Sequence, residues 1–132
     1  MPPIPEGDDL SAKTDLTSDE RVRVAAEAAA SKQGEEIVIL SVGEVLAIVD
    51  SFVITSADNT RQVATIAEEI EKRIKAEGGG GPFRVEGLDD KRWVLLDYGD
   101  VVVHVFLREV REFYDLERLW SDVPRQVWEA SA

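Results

Sequence analysis

Trp93-Val94-Leu95-Leu96-Asp97-Tyr98-Gly99-Asp100-Val101-Val102-Val103-His104-Val105-Phe106-Leu107 reads as two strands joined by a tight turn. Valine and aromatic residues fit a pleated, buried surface. Gly99 can take the positive φ that a short hairpin turn requires. Strand side chains alternate between faces. In the first strand, Arg92 to Asp97, one face carries Trp93, Leu95 and Asp97, and the other carries Val94 and Leu96. In the second, Val101, Val103, Val105 and Leu107 share a face, and Val102, His104 and Phe106 share the opposite one. Both faces of the hairpin are therefore apolar, and two expectations compete. Helices flank the sheet on both sides, or one face keeps an exposed apolar strip containing Trp93 and Leu95, edged by Asp97 and Asp100. A strip of that kind marks a protein interface. Trp and Tyr are also over-represented among residues that dominate binding energy.

Upstream of the hairpin, Phe83 to Glu86 reads as another strand, and Gly78 to Gly81 as a flexible loop. Before that loop, Val63, Ile66, Ala67, Ile70 and Ile74 form one apolar stripe of helical period. Ser56-Ala57-Asp58-Asn59 supplies N-cap chemistry for that helix. Phe52 to Thr55 is a short strand. Glu36-Ile37-Val38-Ile39-Leu40-Ser41 is a continuous run typical of a strand buried on both faces, broken by Val42-Gly43-Glu44-Val45. Thr17-Ser18-Asp19-Glu20 is a capping box opening an Ala-rich helix from Arg21 to Lys32, with Gly34 as its stop. Downstream, Arg108 to Trp120 reads as a helix packing through Phe113, Leu116, Leu119 and Trp120, and Pro124 marks the end. The order α, β, β, α, β, β, β, α predicts an α/β fold, a mixed five-stranded sheet with about three helices. Residues 1–16, with three prolines and four acidic residues, read as a flexible acidic arm. Residues 17–121 read as a single α/β domain, and 122–132 as a C-terminal tail.

A chain of 132 residues favours one domain. Val, Ile, Leu and Phe make up about 30% of it, above the roughly 20% below which chains stay disordered. No apolar run approaches the roughly 18 residues of a membrane span. The start, Met1-Pro2-Pro3-Ile4-Pro5-Glu6, resembles neither a secretory signal nor a transit peptide. A cytoplasmic protein without membrane contact is expected. There is no cysteine, hence no disulfide framework, thiolate metal site or Cys nucleophile. One His excludes multi-His metal sites. The net charge of −12 argues against broad contact with phosphate backbone, whose affinity comes from Lys and Arg. It favours a basic partner, or simply solubility.

Few residues suggest chemistry. Asp50, Asp97 and Asp100 sit near predicted strand ends, where carboxylates can hold Mg²⁺ for phosphoryl transfer. There is no P-loop, no G-x-G-x-x-G, no D-x-D and no Gly-Ser turn before them. Asp97 and Asp100 read better as turn-shaping residues. His104, between valines, reads as a hydrogen-bonded core or interface residue, with no Ser or Cys nucleophile in an evident context beside it. Gly78 to Gly81 lacks the Lys and Ser/Thr of a phosphate loop. Arg108, Glu109, Arg111, Glu112, Asp115, Glu117 and Arg118 alternate in sign, as on a solvated helix face laced with i,i+4 pairs. No cofactor, metal or small-molecule substrate is expected; a metal-dependent nucleotidyltransferase is the alternative.

Three blocks together resemble a known family. They are Asp50-Ser51-Phe52-Val53-Ile54-Thr55-Ser56 with Arg61-Gln62-Val63; Glu86-Gly87 with Trp93 to Phe106; and Arg111-Glu112-Phe113-Tyr114-Asp115-Leu116-Glu117-Arg118-Leu119-Trp120. In this order and spacing they are similar to the ribosomal silencing factors, also called Iojap-related proteins, from about Ser18 to Trp120. The resemblance implies a nucleotidyltransferase-like fold without transferase activity. It implies binding to the large ribosomal subunit through its conserved protein uL14, which keeps the small subunit from joining and damps translation when nutrients are scarce. It also implies a homodimer when free, and ribosomal RNA near the bound protein. Carried onto this chain, it implies contacts from Trp93, Leu95, Asp97, Tyr98, Asp100 and His104, and from Arg111, Tyr114 and Glu117. The acidic arm, Gly78 to Gly81 and the tail after Trp120 depart from the family's pattern and put tail-dependent contacts in doubt.

Overall fold

The structure, a computed structural model, describes residues 16–129. Apart from Leu16, the expected acidic arm lies outside the described residues. Helix α1, Ser18–Ser31, opens as its sequence demands. Thr17 Oγ1 accepts from the Glu20 amide at 3.1 Å, and Glu20 Oε1 accepts from the Thr17 amide at 2.9 Å. Ala25, Ala26, Ala28 and Ala29 are buried. Helix α2, Thr60–Ala76, starts where Asn59 Oδ1 accepts from the Gln62 amide at 2.8 Å. It buries Val63, Ile66, Ala67, Ile70 and Ile74, the stripe that the period marks out. No described helix is long and apolar enough to cross a membrane.

Six strands form one mixed sheet: β1 (Glu35–Ser41), β2 (Ser51–Ala57), β3 (Arg84–Glu86), β4 (Trp93–Asp97), β5 (Val101–Leu107) and β6 (Arg125–Val127). Their order is β3-β4-β5-β2-β1-β6. Only β2 and β5 are parallel; every other pair is antiparallel. The parallel pair sits at the centre, buried on both faces as parallel strands require. Helices α1 and α2 cover one face, over Ile37, Ile39, Val53, Val94, Leu96, Val101, Val103 and Val105. On the other face lie Val38, Leu40, Phe52, Ile54, Val102 and Phe106. The turn into β5 carries Gly99 at φ 89°.

The sheet has one strand more than the five expected. β6 lies in the stretch set apart as a tail and pairs with β1. The Trp128 amide extends the pairing by donating to the Ile37 carbonyl at 2.8 Å. Edge pairing of this kind uses backbone groups, and all three β6 residues are exposed, so no burial pattern advertises the strand. The helix expected over Arg108 to Trp120 is broken in two, α3 (Arg108–Tyr114) and α4 (Leu116–Leu119). Asp115 separates them in the left-handed conformation, φ 50° and ψ 57°, which Asp tolerates better than most residues. The break resets the helical phase. Phe113 and Leu119, expected to pack, are 80% and 74% exposed. Val110 and Arg111 are buried instead, and Leu116 and Trp120 do pack on the second face.

Candidate functional site

The β4–β5 register places Trp93 opposite Phe106, Leu95 opposite His104 and Asp97 opposite Val102. These residues share the face that α3 and α4 shield. Because α3 follows Leu107 directly, its short body leaves β4 incompletely covered. Trp93 and Leu95 stay half-buried. Helices thus lie on both faces of the hairpin, on this one only in part, and Trp93 and Leu95 pack against its cluster while keeping some exposure.

An aromatic row lines this gap. The Trp93 ring lies 4.7 Å from Phe106 and 4.9 Å from Tyr114. Tyr114 meets Phe113 edge-on at 5.0 Å, and both are exposed. Inward, Phe52 contacts His104 at 4.9 Å and Trp120 at 5.5 Å, both edge-on. Of the hollows that border Tyr114, two also reach Arg92 and Val110. One of about 250 Å³ is lined by Gly87, Asp90, Arg92, Trp93 and Val110 as well as Tyr114. The other, about 370 Å³, is lined by Arg92, Glu109, Val110, Phe113 and Tyr114. Gly87, at φ 89°, lets the loop close on the start of β4; a Cβ there would stand 1.9 Å from the Trp93 carbonyl oxygen. Arg92, Phe113 and Gly87 were not singled out as site residues. The signal for Phe113 is its place beside Tyr114 at the end of a helix too short to bury both.

His104 lies diagonally across from Trp93 in the β4–β5 pair, ring centroids 6.0 Å apart, and is 5% exposed. Its Nδ1 accepts a hydrogen bond from the Trp93 indole N–H at 3.1 Å. The ring proton of the neutral imidazole therefore sits on Nε2, which is buried without a partner. Burial lowers its pKa from 6.5 to about 4.

The other implied contacts are engaged internally. Asp97 Oδ1 accepts from the Gly99 amide at 2.8 Å, shaping the turn, and Oδ2 pairs with Arg84 at 3.4 Å. Tyr98 is buried, not exposed: it packs with the helix-covered core and has Arg21 5.7 Å above its ring. Burial, reinforced by the Glu71 charge, raises its phenol pKa well above the ordinary value. Asp100 does not edge the strip. It accepts from Arg21 Nη1 at 2.7 and 2.9 Å and from Ser18 Oγ at 2.7 Å, tying α1 to the hairpin. The same hydroxyl lies 2.7 Å from Asp50 Oδ2 and, with a single proton, donates to one of the two carboxylates at a time. Asp97 takes no part in that cluster, and among the described residues no three His, Asp or Glu side chains gather to hold a metal ion.

Arg111 and Glu117 depart furthest from the expected solvated helix face. Arg111 is 7% exposed. Its guanidinium donates to the Glu35 carbonyl at 3.1 Å, the Glu36 carbonyl at 2.7 Å, Ser56 Oγ at 3.1 Å and the Glu117 carboxylate at 3.0 and 3.1 Å. It clamps the irregular start of β1, where register shifts and Glu36 takes φ 42°. The charge alternation predicts a solvated face of i,i+4 pairs. This pair instead spans six residues across the helix break, because the turn at Asp115 folds Glu117 back over Arg111. Nearby, Arg108 pairs with Glu35 and holds its carboxyl below the ordinary range.

Comparison with known proteins agrees with this architecture. Residues 15–132 match the model of a family described as "Ribosomal silencing factor during starvation". The chain is 39% identical to the ribosomal silencing factor of Halalkalibacterium halodurans over 109 residues, 83% of this chain and 92% of that protein. It is 41% identical to that of Bacillus subtilis over 103 residues, 78% of this chain and 86% of that one. Among solved structures, a Chromobacterium violaceum protein superposes with a TM-score of 0.76 at 31% identity, covering 89% of this chain and 97% of the other.

Proposed function

The chain belongs to the ribosomal silencing factor family, and from that membership we propose that it binds the large ribosomal subunit through uL14 and blocks small-subunit joining by excluded volume. Translation is thereby damped when nutrients are limiting, in the cytoplasm where ribosomes work. One observation carries the proposal: Trp93 and Leu95 on β4 stay half-buried beside Tyr114 and Phe113, which α3 itself presents to solvent, so that together they form a partly exposed aromatic row. Trp93, Leu95 and Tyr114 make the contact, Asp97 lies at its margin, and ribosomal RNA lies nearby. Tyr98, Asp100, His104, Arg111 and Glu117 act behind the surface by holding its shape. A net charge of −12 complements a basic ribosomal protein and steers encounter. The same strip serves a homodimer in the free protein, so dimer and ribosome compete for it.

Sucrose-gradient sedimentation of purified subunits tests the mechanism. Added protein should shift joined ribosomes into separate subunits, and an unchanged joined fraction at saturating protein would refute it. No bond-making is required. Titration with Mg²⁺ and ATP should give no binding heat; saturable binding would instead favour a metal-dependent nucleotidyltransferase acting through Asp50, Asp97 and Asp100.

A further inference from the structure

His104 is an odd resident of its site. Its ring stands between Phe52, Phe106 and Trp93, with Phe106 nearly parallel to it at 6.1 Å. Its β5 neighbours are Val103 and Val105. A Phe or Leu would suit such surroundings without a polar cost. The imidazole instead leaves Nε2–H buried and unpartnered, a desolvated donor with nothing to offset its loss of water. Its one hydrogen bond is the one from the Trp93 indole. That bond fixes the direction of the indole, because a donor at one ring edge and a fixed acceptor diagonal to it select one orientation. Phe106 and Tyr114 pack against the same ring. The Trp93 side chain is thus restrained by its neighbours while part of its surface faces out.

We propose that His104 is a positioning residue: it touches no partner, and its Nδ1 acceptor pre-orients the Trp93 indole for docking of the ribosomal surface. The inference rests on the docking role given to this face above. It differs from a direct-contact role, which the burial of His104 precludes. The benefit is pre-organisation, since an anchor held in its bound rotamer loses less freedom on association.

The test uses the full chain and two variants. His104→Phe keeps a ring of similar size, removes the acceptor and removes the orphaned Nε2–H. His104→Asn offers an oxygen close to the position of Nδ1. Nitrogen-15 spectra of the free wild-type protein should show imidazole protonated at Nε2 and a single, exchange-protected Trp93 indole N–H. In His104→Phe that indole signal should lose protection while thermal stability holds. Binding to purified large subunits should weaken by roughly tenfold, equivalent to about 1.4 kcal/mol, and His104→Asn should recover part of the loss. In a Trp93→Phe background, which lacks the indole donor, the Phe and Asn variants should bind alike. Wild-type affinity in His104→Phe beside weakened binding in Trp93→Ala would overturn the inference and leave the docking face standing. Wild-type affinity in both would overturn the docking face and the inference with it. Protonation at Nδ1 would overturn the inference without any ribosome.

Discussion

At the scale of single residues, two buried polar side chains carry opposite consequences. Arg111 satisfies two backbone carbonyls, a hydroxyl and a carboxylate at once. Arg111→Ala leaves Glu117 with only the longer Arg125 pair at 3.7 Å and strips the donors from the carbonyls of the β1 irregularity. It should cost about 3–5 kcal/mol, read as a fall in the urea midpoint. His104 makes the fold pH-sensitive. Its folded pKa, about 4, lies below the unfolded value near 6.5. The unfolded chain therefore binds the extra proton first. Above pH 6.5 the neutral imidazole costs nothing in this respect. As pH falls from about 6.5 to about 4, stability should drop by roughly 1.4 kcal/mol per unit. Urea unfolding across that range should show a shallower decline in His104→Phe than in wild type, which separates this term from the carboxylates. Parity placed Trp93 and Leu95 on their face from sequence. The resemblance carries Tyr98 as a contact, but a motif match holds no information on where its ring packs. Here Arg21 and the core received it.

At the scale of elements, the C-terminal helix pair shapes the docking face. Asp115 in the left-handed region turns the chain so that Leu116 and Trp120 reach the second face while Phe113 is released to solvent. Asp115→Gly should leave thermal stability within a few tenths of a kcal/mol of wild type or slightly above. Asp115→Val should lower it by about 1–3 kcal/mol, since a β-branched residue is strained at positive φ. The valine variant should also disturb Tyr114 and weaken subunit binding. Capped helices α1 and α2 were legible because cap, period and stop all lie within one short segment. The break in the third helix was not, because nothing in the local sequence demands it: the Glu35 and Glu36 carbonyls that Arg111 holds lie about 75 residues away.

At the scale of the whole molecule, surface charge and the partly exposed face act at different stages of binding. Charge acts at long range and is screened over about 8 Å at physiological ionic strength. Stopped-flow association with large subunits should slow several-fold from low to physiological salt. Dissociation, governed by the aromatic contacts, should change little. A salt-independent on-rate would remove the charge from the mechanism. Homodimers, where they form through the same strip, should dissociate as large subunits are added, a competition visible by light scattering of the free protein and sedimentation of the mixture.

Helix stripes, strand parity and the two-sided apolar hairpin come from local order along the chain, since periodicity and capping act between residues a few positions apart. Which hairpin face stayed partly open, that Arg111 and Glu117 turned inward, and that a sixth strand joined β1 were settled only by packing. Those outcomes depend on partners far apart in sequence, such as Glu35 and Arg111 or Ile39 and Gln126. No local pattern encodes a contact whose energy appears only when the remote group arrives.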